Sequence, residues 1–350
     1  MQIEENKSLA ALNTLGFPCR ARYFARVAAV EEIQQAFAFS KQMDVPPLIL
    51  GGGSNLVLTS DYPGLVIHNQ LLGKTLLADT DDEILLRVGA GENWHGLVDY
   101  TLSQGWFGLE NLALIPGSVG AAPIQNIGAY GVELCDVFYE LEAFALESGE
   151  RRVFSLEACE FGYRESVFKG RLKDQYLITS VTLRLSKAPN TRIDYSALAQ
   201  ALRGDAPEEI SPQRVRDVVC EIRRSKLPDP AEIGNVGSFF KNPVVSIEQF
   251  GRIKAQYDDA VGFADGTDSV KLAAGWLIEK CGWKGHRVGA VGVHAAQALV
   301  LVNYESANPA ACADAAADLL ALARQIRRSV EEKFAVKLEH EPRIYPEPNW

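Results

Sequence analysis

The 350-residue chain lacks the residue patterns that several functional classes require. Its six cysteines (Cys19, Cys135, Cys159, Cys220, Cys281, Cys312) include no C-x-x-C pair, and its five histidines (His68, His95, His286, His294, His340) no H-x-x-x-H pair. No metal site is therefore expected, and the thiols read as buried or semi-buried. Basic residues are outnumbered, 35 Lys+Arg against 45 Asp+Glu, and the net charge of −10 leaves no broad basic field for nucleic acid or an anionic membrane surface. An anionic ligand must be met by a local cluster of cations. The longest uncharged stretch, Asn111 to Gly131, is broken by Pro116, Pro123, glycines, Gln125 and Asn126, so no membrane span is expected. Met1 to Glu5 carries acid where a signal peptide needs Lys or Arg, which points to a cytoplasmic protein. No G-x-S-x-G elbow supports serine hydrolase chemistry.

What is present is ordinary globular composition, 47% hydrophobic and 23% charged. At roughly 100–200 residues per domain, two or three structural units are expected. Glycine clusters at 51–53, 89–91 and 117–131 alternate with strand-like runs at Leu48 to Leu50 and Ile84 to Val88, and Tyr176 to Leu185 alternates as a strand does. The spacing of Val30, Ile33, Ala36 and Phe37 predicts a helix over Val30 to Met43. A boundary is expected between Ser186 and Ser211, where Pro189, Asn190, Gly204, Asp205 and Pro207 break periodicity. Beyond it, Ser211-Pro212 opens a predicted helix with Val215, Val218, Val219 and Ile222 on one face, closed by Leu227-Pro228. Further helices are predicted over Ser269 to Lys280 and from Asn308-Pro309 through Leu319, Leu322, Ile326 and Val330. Strands at Ala298 to Val302 and Ala335 to Glu339 frame the last one.

Glycine matters at a bound anion or cofactor because the backbone must approach closely and its N–H groups must converge. Leu50-Gly51-Gly52-Gly53-Ser54-Asn55 follows a strand, but another strand-like run, Leu56 to Leu58, follows it. A Rossmann fingerprint or Walker A loop needs a helix there, and Walker A also needs a Lys-Ser/Thr, so neither applies. Gly89 to Trp94 and Ile115 to Gly131 add two more loops of small residues and amides, a set suited to a large planar cofactor.

The run Leu109-Glu110-Asn111 through Gly131, with Leu50-Gly51-Gly52-Gly53-Ser54-Asn55, Phe161-Gly162-Tyr163-Arg164-Glu165-Ser166 and Asn235-Val236-Gly237-Ser238-Phe239-Phe240-Lys241-Asn242-Pro243, resembles the UDP-N-acetylenolpyruvoylglucosamine reductase family in order, from about Asn13 to Arg343. The resemblance implies an α+β chain with a PCMH-type (vanillyl-alcohol-oxidase-like) FAD-binding domain over residues 13–187, in two subdomains split near residue 70. A C-terminal α+β substrate-binding domain over 211–350 would bring its last strand and Glu341 back to the active site. The implied reaction is NADPH-dependent reduction of a UDP-sugar enolpyruvyl ether through FAD in peptidoglycan precursor synthesis, by a cytoplasmic monomer with no nucleic-acid or membrane partner. FAD would be held by Leu50, Gly51, Gly52, Gly53, Ser54 and Asn55, by Gly117, Ser118, Val119, Gly120 and Ala121, and by Gln125, Asn126, Gly128, Ala129 and Tyr130.

The same resemblance implies roles for single side chains. Hydride addition at the carbon remote from the substrate carboxylate leaves negative charge beside that carboxylate. Arg164, with Tyr163 packed beside it, would hold the carboxylate through its guanidinium fork. Ser238 would donate the proton, and Glu341, if protonated, a hydrogen bond to the developing charge. Glu339 lies two residues from Glu341 with the same facing, and Pro342 removes a backbone N–H where the family has a β-branched residue. Lys226, Lys241 and Asn242 would meet the diphosphate, Gln297 another part of the substrate, and Tyr195 would clamp it, as in the longer family subtype. Two further readings stand beside this one. An FAD oxidase on the same fold would need neither Ser238 nor the Lys226 cluster, and a noncatalytic flavin- or nucleotide-binding module would not need Arg164, Ser238 or Glu341.

Overall fold

In the computed structural model, which describes residues 1–348, the glycine clusters fall between strands. Pro47–Leu50, Leu56–Leu58 and Glu83–Gly89 are strands, and so is Tyr176–Ser186, whose residues from Leu177 to Leu183 are all buried. That continuous burial follows from its place at the centre of a five-stranded antiparallel sheet. Phe138–Ala145 and Glu83–Gly89 flank it, and Arg151–Ser155 and Lys74–Asp79 form the edges. A second sheet contains parallel pairs, with Tyr62–Asn69 lying between Arg20–Val27 and Pro47–Leu50. Parallel neighbours need a crossover, and the helix Val30–Gln42 supplies it. It buries Ile33, Ala36 and Phe37 in one core cluster with Val27, Leu65 and Ile67.

The chain divides into two compact units that interleave in sequence. The first holds Met1–Lys7, Ala21–Gly53 and Tyr62–Arg224, and the second holds Ser8–Arg20, Ser54–Asp61 and the chain from Ser225 onward. The change of unit thus comes at Arg224, after the boundary expected between Ser186 and Ser211. The helix Pro212–Lys226 has the apolar face its sequence predicts, and Ser211 caps it by accepting from the N–H of Arg214 at 3.2 Å. Its Val215, Val218 and Val219 share a core with Trp94, Leu97 and Val98, which ties it to the first unit.

In the second unit, Gly234–Ser238, Val300–Asn303, Val291–Val293 and Arg287–Val288 form an antiparallel sheet, and Val244–Ser246, Ser269–Leu272 and Gly262–Asp265 form another. The helix predicted from Ser269 therefore begins only at Ala274 and runs Ala274–Lys280. Ser269–Leu272 pairs on both edges, which outweighs its compatibility with a helical period. The C-terminal helix spans Ala315–Phe334 after a short 3-10 turn at Pro309–Cys312. No side chain caps its start, a loss of about 1 kcal/mol. Burial of Leu319, Leu322, Ile326 and Val330, at roughly 1.5–3 kcal/mol each, outweighs it.

Ala335 to Glu339 forms no strand, contrary to expectation. Ala335 takes a left-handed φ of 54°, which stops the helix, and pairing resumes at a single bridge between Phe240 and His340. The next strand, Arg343–Tyr345, runs parallel to Leu56–Leu58. Pro342 sits between these two pairings, at the point where the chain changes partner, so its missing N–H interrupts no ladder. Among the described residues, no helix is long and apolar enough to cross a membrane.

Candidate active site

Parallel pairing of Leu50 with His68 brings the loop after one strand beside the end of the other, so Gly51 and Gly52 lie next to Asn69 and Gln70. The third glycine loop is drawn in by backbone bonds. Trp94 donates to Gly117 O at 3.1 Å, Val119 to Glu92 O at 2.9 Å and Gly120 to Ala90 O at 2.8 Å. Together these segments wall a cavity of about 300 Å³, whose lining includes Gly51, Gly52, His68, Asn69, Gln70, Gly91, Asn93, Gly117 and Ser118. A Cβ on Gly52 would lie 2.9 Å from the Cα of Gly117, and one on Gly51 would overlap the Ser118 hydroxyl. The glycines are thus required first for the loops to meet, and the close backbone surface offered to a ligand is the result.

His68, Asn69 and Gln70 line the cavity without any glycine signal. His68 Nδ1 is buried without a hydrogen-bond partner. Burial, and secondarily the charge of Arg26, hold its imidazole below the usual pKa, so the ring is neutral near pH 7. An unsatisfied buried polar atom costs about 1–3 kcal/mol, which a ligand bearing polar groups would offset. The cavity therefore fits a cofactor that combines a ring system with hydrogen-bonding edges. His68, Asn69 and Gln70 were not legible as site residues, because only the strand pairing brings them to the glycines.

Of the residues expected at the cofactor, Gly51, Gly52, Gly117 and Ser118 line this cavity. Leu50 is in the core, Val119 to Gln125 form a 3-10 turn, and the Asn55 carbonyl accepts from the N–H of Arg343 at 3.0 Å within the second unit. Asn126 departs from expectation, being fully buried at a left-handed φ of 44°. Its Nδ2 donates to Glu133 Oε2 at 2.8 Å and to Gly162 O at 3.2 Å, and its Oδ1 accepts from the N–H of Cys135 at 3.0 Å. The amide is engaged by protein on both ends rather than presented to a cofactor.

Gly128 and Ala129 pair with Val132 and Glu133, and the Gly128 carbonyl accepts from Arg164 Nη2 at 2.8 Å. Arg164 sits at φ 56° in a turn closed by reciprocal backbone bonds between Gly162 and Glu165, with its guanidinium 5.5 Å from the Tyr163 ring centroid. The packing expected of Tyr163 is present. Tyr130 meets Tyr195 edge to face with centroids 5.5 Å apart. Asn111 ties their segments together, donating to Tyr130 O at 2.9 Å and to Arg192 O at 2.8 Å.

Arg223, which carries no motif signal, joins this group. Its Nε donates to Leu114 O at 3.3 Å, and burial, with the charge of Arg164 adding to it, pushes its guanidinium pKa down. Two guanidinium groups and a phenol thus lie within electrostatic reach of one another, a setting that favours an anion. The signal that marks Arg223 is its i, i+4 spacing from the buried Val219, which places it on the inner face of its helix.

In the second unit, Ser238 ends the strand Gly234–Ser238 and pairs with Val300. The chain after it runs antiparallel to the segment containing both candidate glutamates. Glu341 N–H donates to Phe239 O at 2.9 Å, and Lys241 N–H donates to Glu339 O at 2.9 Å. Phe239 and Phe240, both fully buried with ring centroids 5.1 Å apart, anchor this pairing. Glu339 is exposed, with Oε2 3.4 Å from Lys241 Nζ, whereas Glu341 is half-buried. Asn242 Oδ1 accepts from the N–H of Ala274 at 2.9 Å, Gln297 Oε1 accepts from that of Leu299 at 3.3 Å, and Lys226 is exposed at its helix end.

Among the described residues, no group of three or more His, Cys, Asp or Glu side chains is arranged to hold a metal ion. Cys19, Cys159, Cys220 and Cys312 are buried, and burial pushes the Cys19 and Cys159 thiols up to about 12.

Comparison with known proteins places both halves. Residues 21–155 match the family model of an FAD binding domain, and residues 229–345 match that of the C-terminal domain of UDP-N-acetylenolpyruvoylglucosamine reductase. The chain is 48% identical over 345 residues to the Pseudomonas putida protein named UDP-N-acetylenolpyruvoylglucosamine reductase, covering 99% of each chain. It is also 48% identical over 336 residues to the Paraburkholderia xenovorans protein of that name, covering 95% of each. The crystal structure of UDP-N-acetylenolpyruvylglucosamine reductase from Thermus caldophilus matches with a TM-score of 0.67 at 27% identity, over 99% of this chain and 100% of that one.

Proposed function

The chain belongs to the UDP-N-acetylenolpyruvoylglucosamine reductase family, FAD-dependent oxidoreductases of peptidoglycan precursor synthesis, and from that premise we propose that Arg164, Ser238 and Glu341 divide the chemistry of its reaction. The glycine loops at Gly51, Gly52, Gly117 and Ser118, with His68 and Asn69, line the cavity and would hold FAD there. When bound, FAD relays hydride from NADPH to the enolpyruvyl double bond. The remaining requirements, a fixed carboxylate and a proton for the carbon that bears it, fall to the protein.

Arg164 presents its guanidinium to the carboxylate, oriented by its bond to Gly128 O and its contact with Tyr163. Arg223 adds a second positive charge beside it and stays ionised despite its burial, as arginine does. Ser238 donates its hydroxyl proton to the carbon next to the carboxylate, and Glu341, when protonated, donates a hydrogen bond to the charge that builds there. Glu341 is favoured over Glu339 because Glu339 is exposed and engaged with Lys241. An exposed ion pair of that kind is worth about 0–1 kcal/mol, so Lys241 can exchange its partner for the substrate diphosphate, which Lys226 and Asn242 also meet. Gln297 holds another part of the UDP-sugar. Tyr195, exposed beside Tyr130, closes over it. The enzyme works as a cytoplasmic monomer without a nucleic-acid or membrane partner, in keeping with its net charge of −10.

The observation that carries this reading is the meeting of three glycine loops at one cavity in the unit that also holds Arg164 in a constrained turn. The test is NADPH oxidation by the flavin-loaded protein with and without UDP-N-acetylglucosamine enolpyruvate. Oxidation is expected to depend on the sugar nucleotide. Turnover that proceeds equally well with oxygen alone would favour an oxidase instead.

A further inference from the structure

Arg164 holds a left-handed backbone conformation, which costs a residue other than glycine roughly 1–2 kcal/mol, so its surroundings must impose it. Two substructures do so. The turn Gly162 to Glu165 fixes its backbone, and the short hairpin pairing Gly128 with Glu133 supplies the carbonyl that takes its Nη2. One side chain joins them. Asn126 Nδ2 donates both to Gly162 O in the turn and to Glu133 Oε2 in the hairpin, while its Oδ1 accepts from Cys135 N–H just beyond that hairpin. The fit leaves little slack, since a Cβ on Gly128 would fall 2.9 Å from Glu133 Cγ and 3.1 Å from Arg164 Nη1.

We propose that Asn126 and Glu133 are positioning residues that set the guanidinium of Arg164 for the substrate carboxylate, Asn126 clamping the backbone end and the guanidinium end of Arg164 at once. The proposal rests on the reading of Arg164 as the carboxylate contact. Neither residue touches substrate. Loosening either end moves the fork relative to the carboxylate, and a displacement of about 1 Å at such a contact can cost about 10²-fold in rate.

The experiment uses the flavin-loaded enzyme and separates flavin reduction by NADPH from flavin reoxidation by the UDP-sugar, in rapid-mixing absorbance. Asn126→Ala is expected to keep its flavin and its reduction rate within about two-fold, while reoxidation slows by about 10- to 100-fold. Glu133→Gln, whose amide oxygen accepts the same hydrogen bond, should restore most of the loss caused by Glu133→Ala. The double variant Asn126→Ala/Arg164→Ala should be no slower than Arg164→Ala, because one residue acts through the other. If Asn126→Ala does not fold, the Glu133 pair carries the same test. An Arg164→Ala enzyme that reoxidises normally overturns the Arg164 reading and the proposal with it. An impaired Arg164→Ala beside an unimpaired Asn126→Ala, or penalties that add in the double variant, overturns the positioning role alone.

Discussion

The two units use different parts of the chain to build function. In the first, the glycine-lined cavity is made mainly by backbone: three loops meet because glycine occupies Gly51, Gly52 and Gly120, where a Cβ would strike the neighbouring loop. In the second, Ser238, Lys241 and Glu341 stand on ordinary antiparallel pairing, and what distinguishes them is side-chain identity alone. The first kind of site is rigid and intolerant of added atoms. The second should accept isosteric changes without structural loss and answer them in rate.

Gly52→Val strains the comparison most. Its side chain would press on the Gly117 backbone, which cannot yield without parting the loops, so the purified protein is expected to lose nearly all bound flavin absorbance. Retention of full flavin content would break the claim that the loops must touch. Next comes Arg223→Leu, predicted to raise the KM for the UDP-sugar by about 10- to 100-fold, the equivalent of roughly 1.5–3 kcal/mol for a hydrogen bond to a charged group. Flavin content should be unchanged, and an unaltered KM would remove Arg223 from the site.

Smaller effects are expected in the second unit. Glu339→Ala should alter unfolding stability by less than about 0.5 kcal/mol and leave KM unchanged or lower, whereas Lys241→Ala should raise it. A large loss of rate in Glu339→Ala would transfer the catalytic role from Glu341. The smallest effect is on pH. His68 in the first unit and His294 in the second both have pKa values lowered by burial, with Arg26 adding to the effect at His68. The unfolded chain therefore binds more protons than the folded one below the ordinary imidazole value of about 6.5. Stability should fall as pH drops from there toward the lower folded values. Chemical unfolding at a series of pH values checks this, and His294→Asn should reduce the slope.

The same contrast explains what could be read in advance. Glycine loops were legible because close backbone approach excludes other residue types, and the helix at Val30 and the central strand from Tyr176 were legible from period alone. Ser269–Leu272 was misread because Val270 and Leu272 fit either period over so short a run, and only its two partner strands decide. The helix Pro212–Lys226 showed its apolar face but not which core receives it, which moved the boundary between units. Asn126 looked like a cofactor ligand by its place in a glycine loop, yet its amide bonds inward. Ser238 and Glu341 were visible only through family resemblance, since a serine at a strand end and a glutamate near a chain terminus carry no local signature.

The glycine cradle and the Ser238 segment are expected to serve separable halves of the reaction. Rapid mixing of flavin-loaded Ser238→Ala tests it most directly, first with NADPH and then, once reduced, with UDP-N-acetylglucosamine enolpyruvate. Flavin reduction is expected at a normal rate and reoxidation slowed by roughly 10²- to 10⁴-fold, the usual contribution of a general acid. Equal slowing of both steps, or reoxidation at the normal rate, would contradict it.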